Sequence, residues 1–254
     1  MPKKIFISAG ELSGDRHAAN LVNAIKKIDP TITFIGMGSR FSKEAGVDIK
    51  LDITAMSTVG LLEPLIYLPK LYRAYKKVIN LIKKEKPDLI IPIDCQGLHM
   101  LILKKVKKLN IPSMYYISPQ EWQWGTDKNG QKVVDATDKI LAIFPEEATF
   151  YNRLGGEAIY VGHPTLDTIE PNRIAKDLFY EEHKIDKTKK ILAIFPGSRA
   201  QEIDRLLPVF LKTINRVIKI HPELVPILSV ASDVYKEKIQ QHVKNTPVEG
   251  LVLY

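Results

Sequence analysis

Three short runs put polar or acidic residues directly after apolar stretches, where a strand would end and a helix begin. The first is Ala9-Gly10-Glu11-Leu12-Ser13-Gly14-Asp15, following residues 4–8. Its glycines permit tight turns, a Ser/Asp pair can cap a helix, and the open N–H groups of a helix start attract anions. No G-x-G-x-x-G spacing is present and no Gly-Lys-Ser/Thr follows, so it is neither a dinucleotide fingerprint nor a P-loop. The second run is Ile91-Pro92-Ile93-Asp94-Cys95-Gln96-Gly97. A carboxylate at the mouth of a strand is either a helix cap, the commoner use of Asp there, or a general base. Cys95 reads as a small buried filler, because no cation adjoins it in sequence to favour its thiolate. The third run, Ile117-Ser118-Pro119-Gln120-Glu121-Trp122-Gln123-Trp124, spends both tryptophans in three positions. Trp122 and Trp124 there are either core or a wall for a sugar or acyl chain.

A fourth run, Phe195-Pro196-Gly197-Ser198-Arg199-Ala200-Gln201-Glu202-Ile203, suits an anion. A Gly-Ser turn with Arg at a helix start can hold a phosphate through backbone N–H groups, a hydroxyl and a bidentate guanidinium. The competing use is a capping box from Ser198 to Glu202, though the spacing is four rather than three. Of the six histidines, His163, between Gly162 and Pro164, is the one at a domain joint, where packing is its more ordinary role.

These runs need a scaffold, and the sequence specifies one. Short Ile/Val-rich segments at residues 4–8, 33–35, 88–93, 113–117, 139–143 and 158–161 alternate with helical stretches, the signature of βαβ units around a parallel sheet. Residues 15–28 carry Ala18, Leu21, Val22 and Ile25 at helical spacing, and residues 68–84 carry Leu71, Tyr75, Val78 and Ile82. After Gly162-His163-Pro164 the pattern pauses. It restarts with strands at 191–195, 225–230 and 251–254 and helices at 201–220 and 234–243. The fold class is therefore α/β with two Rossmann-like parallel-sheet domains, residues 1–164 and 165–254. A doubly wound domain has about five or six strands, so the three of the second lead to the expectation that it is incomplete.

Composition narrows the class. The 254 residues are 45% hydrophobic and 26% charged, as in ordinary globular proteins and unlike disordered or fibrous ones. One cysteine excludes an internal disulfide and any multi-cysteine metal site, and suits a reducing cytoplasm. No run approaches the roughly 18 apolar residues of a membrane span. The net charge of +8 has a location: residues 65–110 hold ten lysines and Arg73 against Glu85, Asp88 and Asp94, an excess equal to the whole. A solvated helix face accounts for such runs as often as a binding surface does. Nucleic acid is not expected as a partner, since no recognised binding motif accompanies the charge. Residues 56–84, where Leu61, Leu62, Leu65, Ile66, Tyr67, Leu68 and Leu71 precede or flank Lys70, Arg73, Lys76 and Lys77, suit an anionic membrane surface better.

Taken in order, seven motifs resemble the lipid-A-disaccharide synthase family across essentially the whole chain. They are Ser8-Ala9-Gly10-Glu11-Leu12-Ser13-Gly14-Asp15, Gly36-Met37-Gly38, Met56-Ser57-Thr58-Val59-Gly60-Leu61-Leu62-Glu63, Ile93-Asp94, Ser118-Pro119 with Trp122 and Trp124, Val161-Gly162-His163-Pro164, and Pro196-Gly197-Ser198-Arg199 with Glu202. The resemblance implies a glycosyltransferase of GT-B architecture, the first domain on the acceptor side and the second on the nucleotide-sugar side. The implied reaction joins UDP-2,3-diacylglucosamine to 2,3-diacylglucosamine 1-phosphate with inversion, releasing UDP, at the inner face of the cytoplasmic membrane. It implies no metal and no cofactor. Asp94 would be the general base on the acceptor 6-hydroxyl. Glu11, Ser13, Gly14, Asp15, Trp122 and Trp124 would contact substrate. Gly197, Ser198, Arg199 and Glu202 would lie at the donor diphosphate. The sequence departs from the family pattern at Ser39 (usually glycine), Gln96 (commonly proline), His99 (commonly asparagine) and Gly125 (often arginine). Family members continue into a K-S-G-T segment and a glutamate that engage the UDP-sugar. The chain as written is therefore expected to be a fragment, inactive alone, the alternative being a non-catalytic lipid-binding or remnant protein.

Overall fold

The computed structural model describes residues 3–52, 64–169, 175–198, 200–230 and 233–254, with the backbone alone at 64–71. The chain divides into two compact units, Met1–Ile169 and Glu170–Tyr254.

The first unit is built on seven parallel strands: β1 (Lys4–Ala9), β2 (Thr33–Met37), β3 (Asp48–Leu51), β4 (Leu89–Ile93), β5 (Met114–Tyr116), β6 (Lys139–Ala142) and β7 (Ala158–Tyr160). Their order across the sheet is β3-β2-β1-β4-β5-β6-β7. The central strands β1 and β4 are apolar at most positions because both faces are covered. Ile5, Ile7, Ile91 and Ile93 face one side and pack with Ala18 and Val22 of helix α1 (Leu12–Ile28). Phe6 and Ile90, one residue out of step, face the other. There they meet Val78 and Ile82 of α3 (Pro64–Glu85) and Leu98 and Ile102 of α4 (Gln96–Lys107). Short helices α2 (Arg40–Glu44), α5 (Glu121–Trp124), α6 (Asp127–Ala136) and α7 (Pro145–Arg153) complete the unit.

The structure departs from the sequence reading in several places, including the division between the units, which falls after Ile169 rather than at 164. Helix α1 starts at Leu12 rather than Asp15, so Ser13, Gly14 and Asp15 lie inside its first turn, and its N-cap Glu11 makes no side-chain cap bond. Strand β3 and helix α2 were not expected. Residues 48–51 form a half-exposed edge strand with alternating polar positions, which lacks the apolar run that marks buried strands. Pro92 sits within central strand β4, where it costs one ladder bond: the amides of Ile90 and Asp94 reach Pro112 and Tyr116 carbonyls, and the proline between has none to offer.

The second unit holds α8 (Lys176–Glu182), then β8 (Lys190–Ile194), α9 (Ala200–Ile220), β9 (Leu224–Leu228), α10 (Lys236–Asn245) and β10 (Val252–Leu253). The three strands are parallel, in the order β10-β9-β8. Its core joins Ile203, Leu207, Leu211 and Ile214 of α9 to Ile194, Leu228 and Ile239.

Candidate functional site

In the first sheet the chain runs outward from β1 in both directions, to β2 and β3 on one side and to β4 and beyond on the other. The crevice at the carboxyl ends of β1 and β4 is thus the topological switch point, where open α/β sheets bind ligands. The first two sequence runs meet there. A methyl group at Gly10 would lie 2.5 Å from Cys95 Sγ, so the turn after β1 closes on the turn after β4 only because position 10 has no side chain. Gly14 packs beside Ile93 and Asp94: a Cβ on it would sit 3.4 Å from the Ile93 carbonyl oxygen and 3.8 Å from Asp94 Cβ.

Asp94 and Cys95 both take left-handed backbone conformations, φ 55° and 51°. The chain therefore bends sharply as it leaves β4. The Asp94 carboxylate accepts the Cys95 N–H at 2.8 Å. It caps no amide of α4, whose N-cap is Cys95 itself without a side-chain cap bond, so the commoner use of an aspartate at a strand mouth is not the one adopted. Behind the bend, the Asp94 carbonyl oxygen accepts from Tyr115 Oη at 3.0 Å and from His99 Nδ1 at 2.6 Å. Ile117, at the end of neighbouring β5, is also left-handed at φ 57°, a strained state for a β-branched residue. Strain gathered at adjacent strand ends is the pattern of functional sites. Burial, with the Glu11 and Asp94 carboxylates adding to it, pushes the Cys95 thiol up to about 12, so it is an inert filler.

His17, three residues after Gly14 on α1, was not singled out by the sequence. Its pKa is lowered by burial and by His163, and raised in smaller measure by Asp94, which places it within electrostatic reach of both. The ring is therefore neutral near pH 7, and its buried Nδ1 has no hydrogen-bond partner among the described residues. His163 accepts the Thr165 N–H on Nδ1 at 3.2 Å, capping a 3-10 turn over Pro164–Asp167, and meets the Phe144 ring edge-on at 5.5 Å. Phe144 in turn packs on Trp122 at 5.6 Å.

The third run splits. Trp122 joins this aromatic row, its buried Nε1 unpartnered among the described residues, while Trp124 is 79% exposed. The two tryptophans do not form one wall. Ser118 is tied down by Glu147, whose buried carboxylate takes the Ser118 hydroxyl at 2.5 Å and the Ile143 and Phe144 amides at 2.8 and 3.3 Å at the start of α7. Glu121 is buried and accepts from Gln96 Nε2, which links the loop after β5 to the start of α4.

Two expected substrate contacts have other work. Asp15 is wholly buried, and its carboxylate accepts the Ser39 and Phe41 amides at 2.7 and 3.0 Å and the Ser42 hydroxyl at 2.5 Å. Its oxygens are spent on the α2 turn, so Asp15 shapes the crevice without facing it. In the second unit the Glu202 carboxylate reaches back one turn to accept the Ser198 N–H at 2.9 Å, over Gly197 at φ 112°. It occupies an amide that a phosphate would use, and in doing so it braces the turn. Glu11 stands at the crevice mouth beside Cys95, and Ser13 is exposed on the first turn of α1. Arg199 lies outside the described residues.

The site and the parallel α/β units define a GT-B type protein, and solved structures share the fold. UDP-bound MnaA from S. aureus superposes on all of this chain and 68% of its own with a TM-score of 0.66 at 13% identity. The UDP-GlcNAc 2-epimerase of Neisseria meningitidis does so over 72% of its own length with a TM-score of 0.64 at 11% identity. Sequence supplies the particular family. The family model described as lipid-A-disaccharide synthetase matches residues 5–252, and the chain belongs to that family. It is 35% identical over 250 residues to the lipid-A-disaccharide synthase of Geobacter metallireducens, covering 98% of this chain and 65% of that one. It is 36% identical over 247 residues to that of Idiomarina loihiensis, covering 95% and 64%. The chain spans 59–65% of the length of the first curated relatives it matches.

Proposed function

We propose that the protein carrying this chain transfers a 2,3-diacylglucosaminyl group from UDP to the 6-hydroxyl of 2,3-diacylglucosamine 1-phosphate, with Asp94 as the general base. The observation that carries the reading is the placement of Asp94: a carboxylate on a strained bend, at the switch point of the sheet, in a chain of this family. In the reaction the carboxylate takes the hydroxyl proton as that oxygen attacks the anomeric carbon. The bond to UDP breaks with its electron pair on the departing diphosphate, and the configuration inverts. Glu11, Ser13 and Gly14 border the acceptor, and Trp122 with Phe144 and exposed Trp124 offer apolar surface to sugar or acyl chain. His17, within electrostatic reach of Asp94 and with a buried Nδ1 unpartnered among the described residues, meets the substrate as a hydrogen-bonding group. Gly197, Ser198 and Arg199 receive the donor diphosphate at the start of α9, where helix N–H groups and a guanidinium favour negative charge.

The substrates carry acyl chains, so the protein works at a membrane surface. Among the described residues no helix is long and apolar enough to cross one. Contact is peripheral, through residues 56–84, of which 56–63 lie outside the described residues. On the described part of α3, Val78 and Ile82 are buried while Tyr72, Arg73, Lys76 and Lys77 are exposed, with Lys76 over the Tyr72 ring at 4.6 Å. The cationic face thus remains available to lipid headgroups.

The test is direct. Incubated with both substrates, the protein that carries this chain should release UDP and form disaccharide in equal amounts without added metal. UDP release with no disaccharide, or a different acceptor consumed, would contradict the reading.

A further inference from the structure

His99 is wholly buried among the apolar residues of α4, outside the crevice, yet bonded to the bend that presents Asp94. Its Nδ1 lies 2.6 Å from the Asp94 carbonyl oxygen and its Nε2 2.9 Å from Ser8 Oγ on β1. A carbonyl oxygen can only accept, so Nδ1 carries the proton and Nε2 accepts the Ser8 hydroxyl hydrogen. Tyr115 on β5 donates to the same carbonyl at 3.0 Å, its ring edge-on to the imidazole with centroids 6.1 Å apart. Three neighbouring strands are thus linked through the His99 ring and the Asp94 carbonyl. That carbonyl belongs to the first of two successive left-handed residues, at φ 55° and 51°. Such non-glycine conformations cost roughly 1–3 kcal/mol each and persist only where surrounding contacts over-determine them. Relaxing the bend would swing the carbonyl away from both donors, so the two bonds oppose relaxation.

We propose that His99, in the Nδ1-protonated tautomer set by Ser8, is a positioning residue that holds Asp94 in its left-handed bend and so aims the carboxylate. The inference rests on Asp94 being the base, and its test separates the two. His99→Asn places an amide nitrogen where Nδ1 was and retains the bond to Asp94. His99→Gln places its amide where Nε2 was, keeps Ser8, loses Asp94, and is nearer to histidine in volume. Positioning predicts that the Asn variant keeps kcat within about threefold while the Gln variant loses about ten- to a hundredfold in kcat at unchanged KM, the effect of a slightly misplaced catalytic group. A space-filling role predicts the reverse order, and that result would overturn the proposal.

Two readouts do not depend on activity. Nitrogen-15 spectra of the wild-type ring should show Nδ1 protonated and Nε2 bare from pH 6 to 8, and the opposite tautomer would refute the clamp. A crystal structure of the His99→Gln protein should show Asp94 relaxed to negative φ, whereas an unchanged bend would refute it. If Asp94→Asn keeps a near-normal kcat while both readouts come out as expected, the role of Asp94 fails and the clamp stands.

Discussion

At the scale of the residue, the crevice is defined by what is missing as much as by what is present. Gly10 lets the turns after β1 and β4 touch, and Cys95 fills the space against it. Gly10→Ala should lower unfolding free energy by about 1–3 kcal/mol, the usual cost of overpacking a tight site. Cys95→Ala should recover part of that loss, because Sγ is the nearer of the two cysteine atoms to the added methyl, at 2.5 Å against 3.0 Å for Cβ. Denaturant midpoints of the single and double variants measure it, and strict additivity would show that the two residues do not compete for the space. Asp94 was legible in the sequence as a carboxylate at a strand mouth. Its left-handed backbone was not, since nothing in an Ile-Asp-Cys run announces positive φ. His17 went unread and His99 was noted only as a departure from the family pattern, for a related reason: a histidine among apolar helix positions looks like core until its partners on distant strands are known.

At the scale of the element, the sheet was legible where its strands are buried on both faces, because uninterrupted Ile/Val runs leave few alternatives. It was illegible at β3, an edge strand whose polar alternation resembles a loop. The start of α1 was misplaced by three residues because Ser13 and Asp15 look like caps. Asp15 instead ties α1 to α2 by accepting two amides and a hydroxyl. Asp15→Ala should therefore cost on the order of 3 kcal/mol in stability by orphaning those buried donors. Acceptor KM should change little once the protein is folded. A stable variant with a raised KM would return Asp15 to the substrate.

At the scale of the whole molecule, buried histidine gives the fold a pH dependence. Burial holds His99 down to about 4, below the 6.5 of the free side chain. Between those values the unfolded chain binds the proton more readily, so stability is full above about pH 6.5 and falls as the pH drops towards 4. The loss approaches about 3 kcal/mol across that window, and it should be absent from the His99→Asn protein. Denaturant titrations at several pH values measure the difference, and parallel curves for the two proteins would contradict it. The basic excess of residues 65–110 acts at the same scale. Co-sedimentation with liposomes should require anionic lipid and weaken as salt rises, since exposed charges are screened within about 8 Å at physiological ionic strength. Binding indifferent to both lipid charge and salt would remove the electrostatic part of the membrane reading. The central claim, that Asp94 is the base of a glycosyl transfer, is tested most directly by steady-state kinetics of Asp94→Asn with both lipid substrates. The account predicts a loss of about 10²–10⁴-fold in kcat with KM values little changed. A near-normal kcat would contradict it.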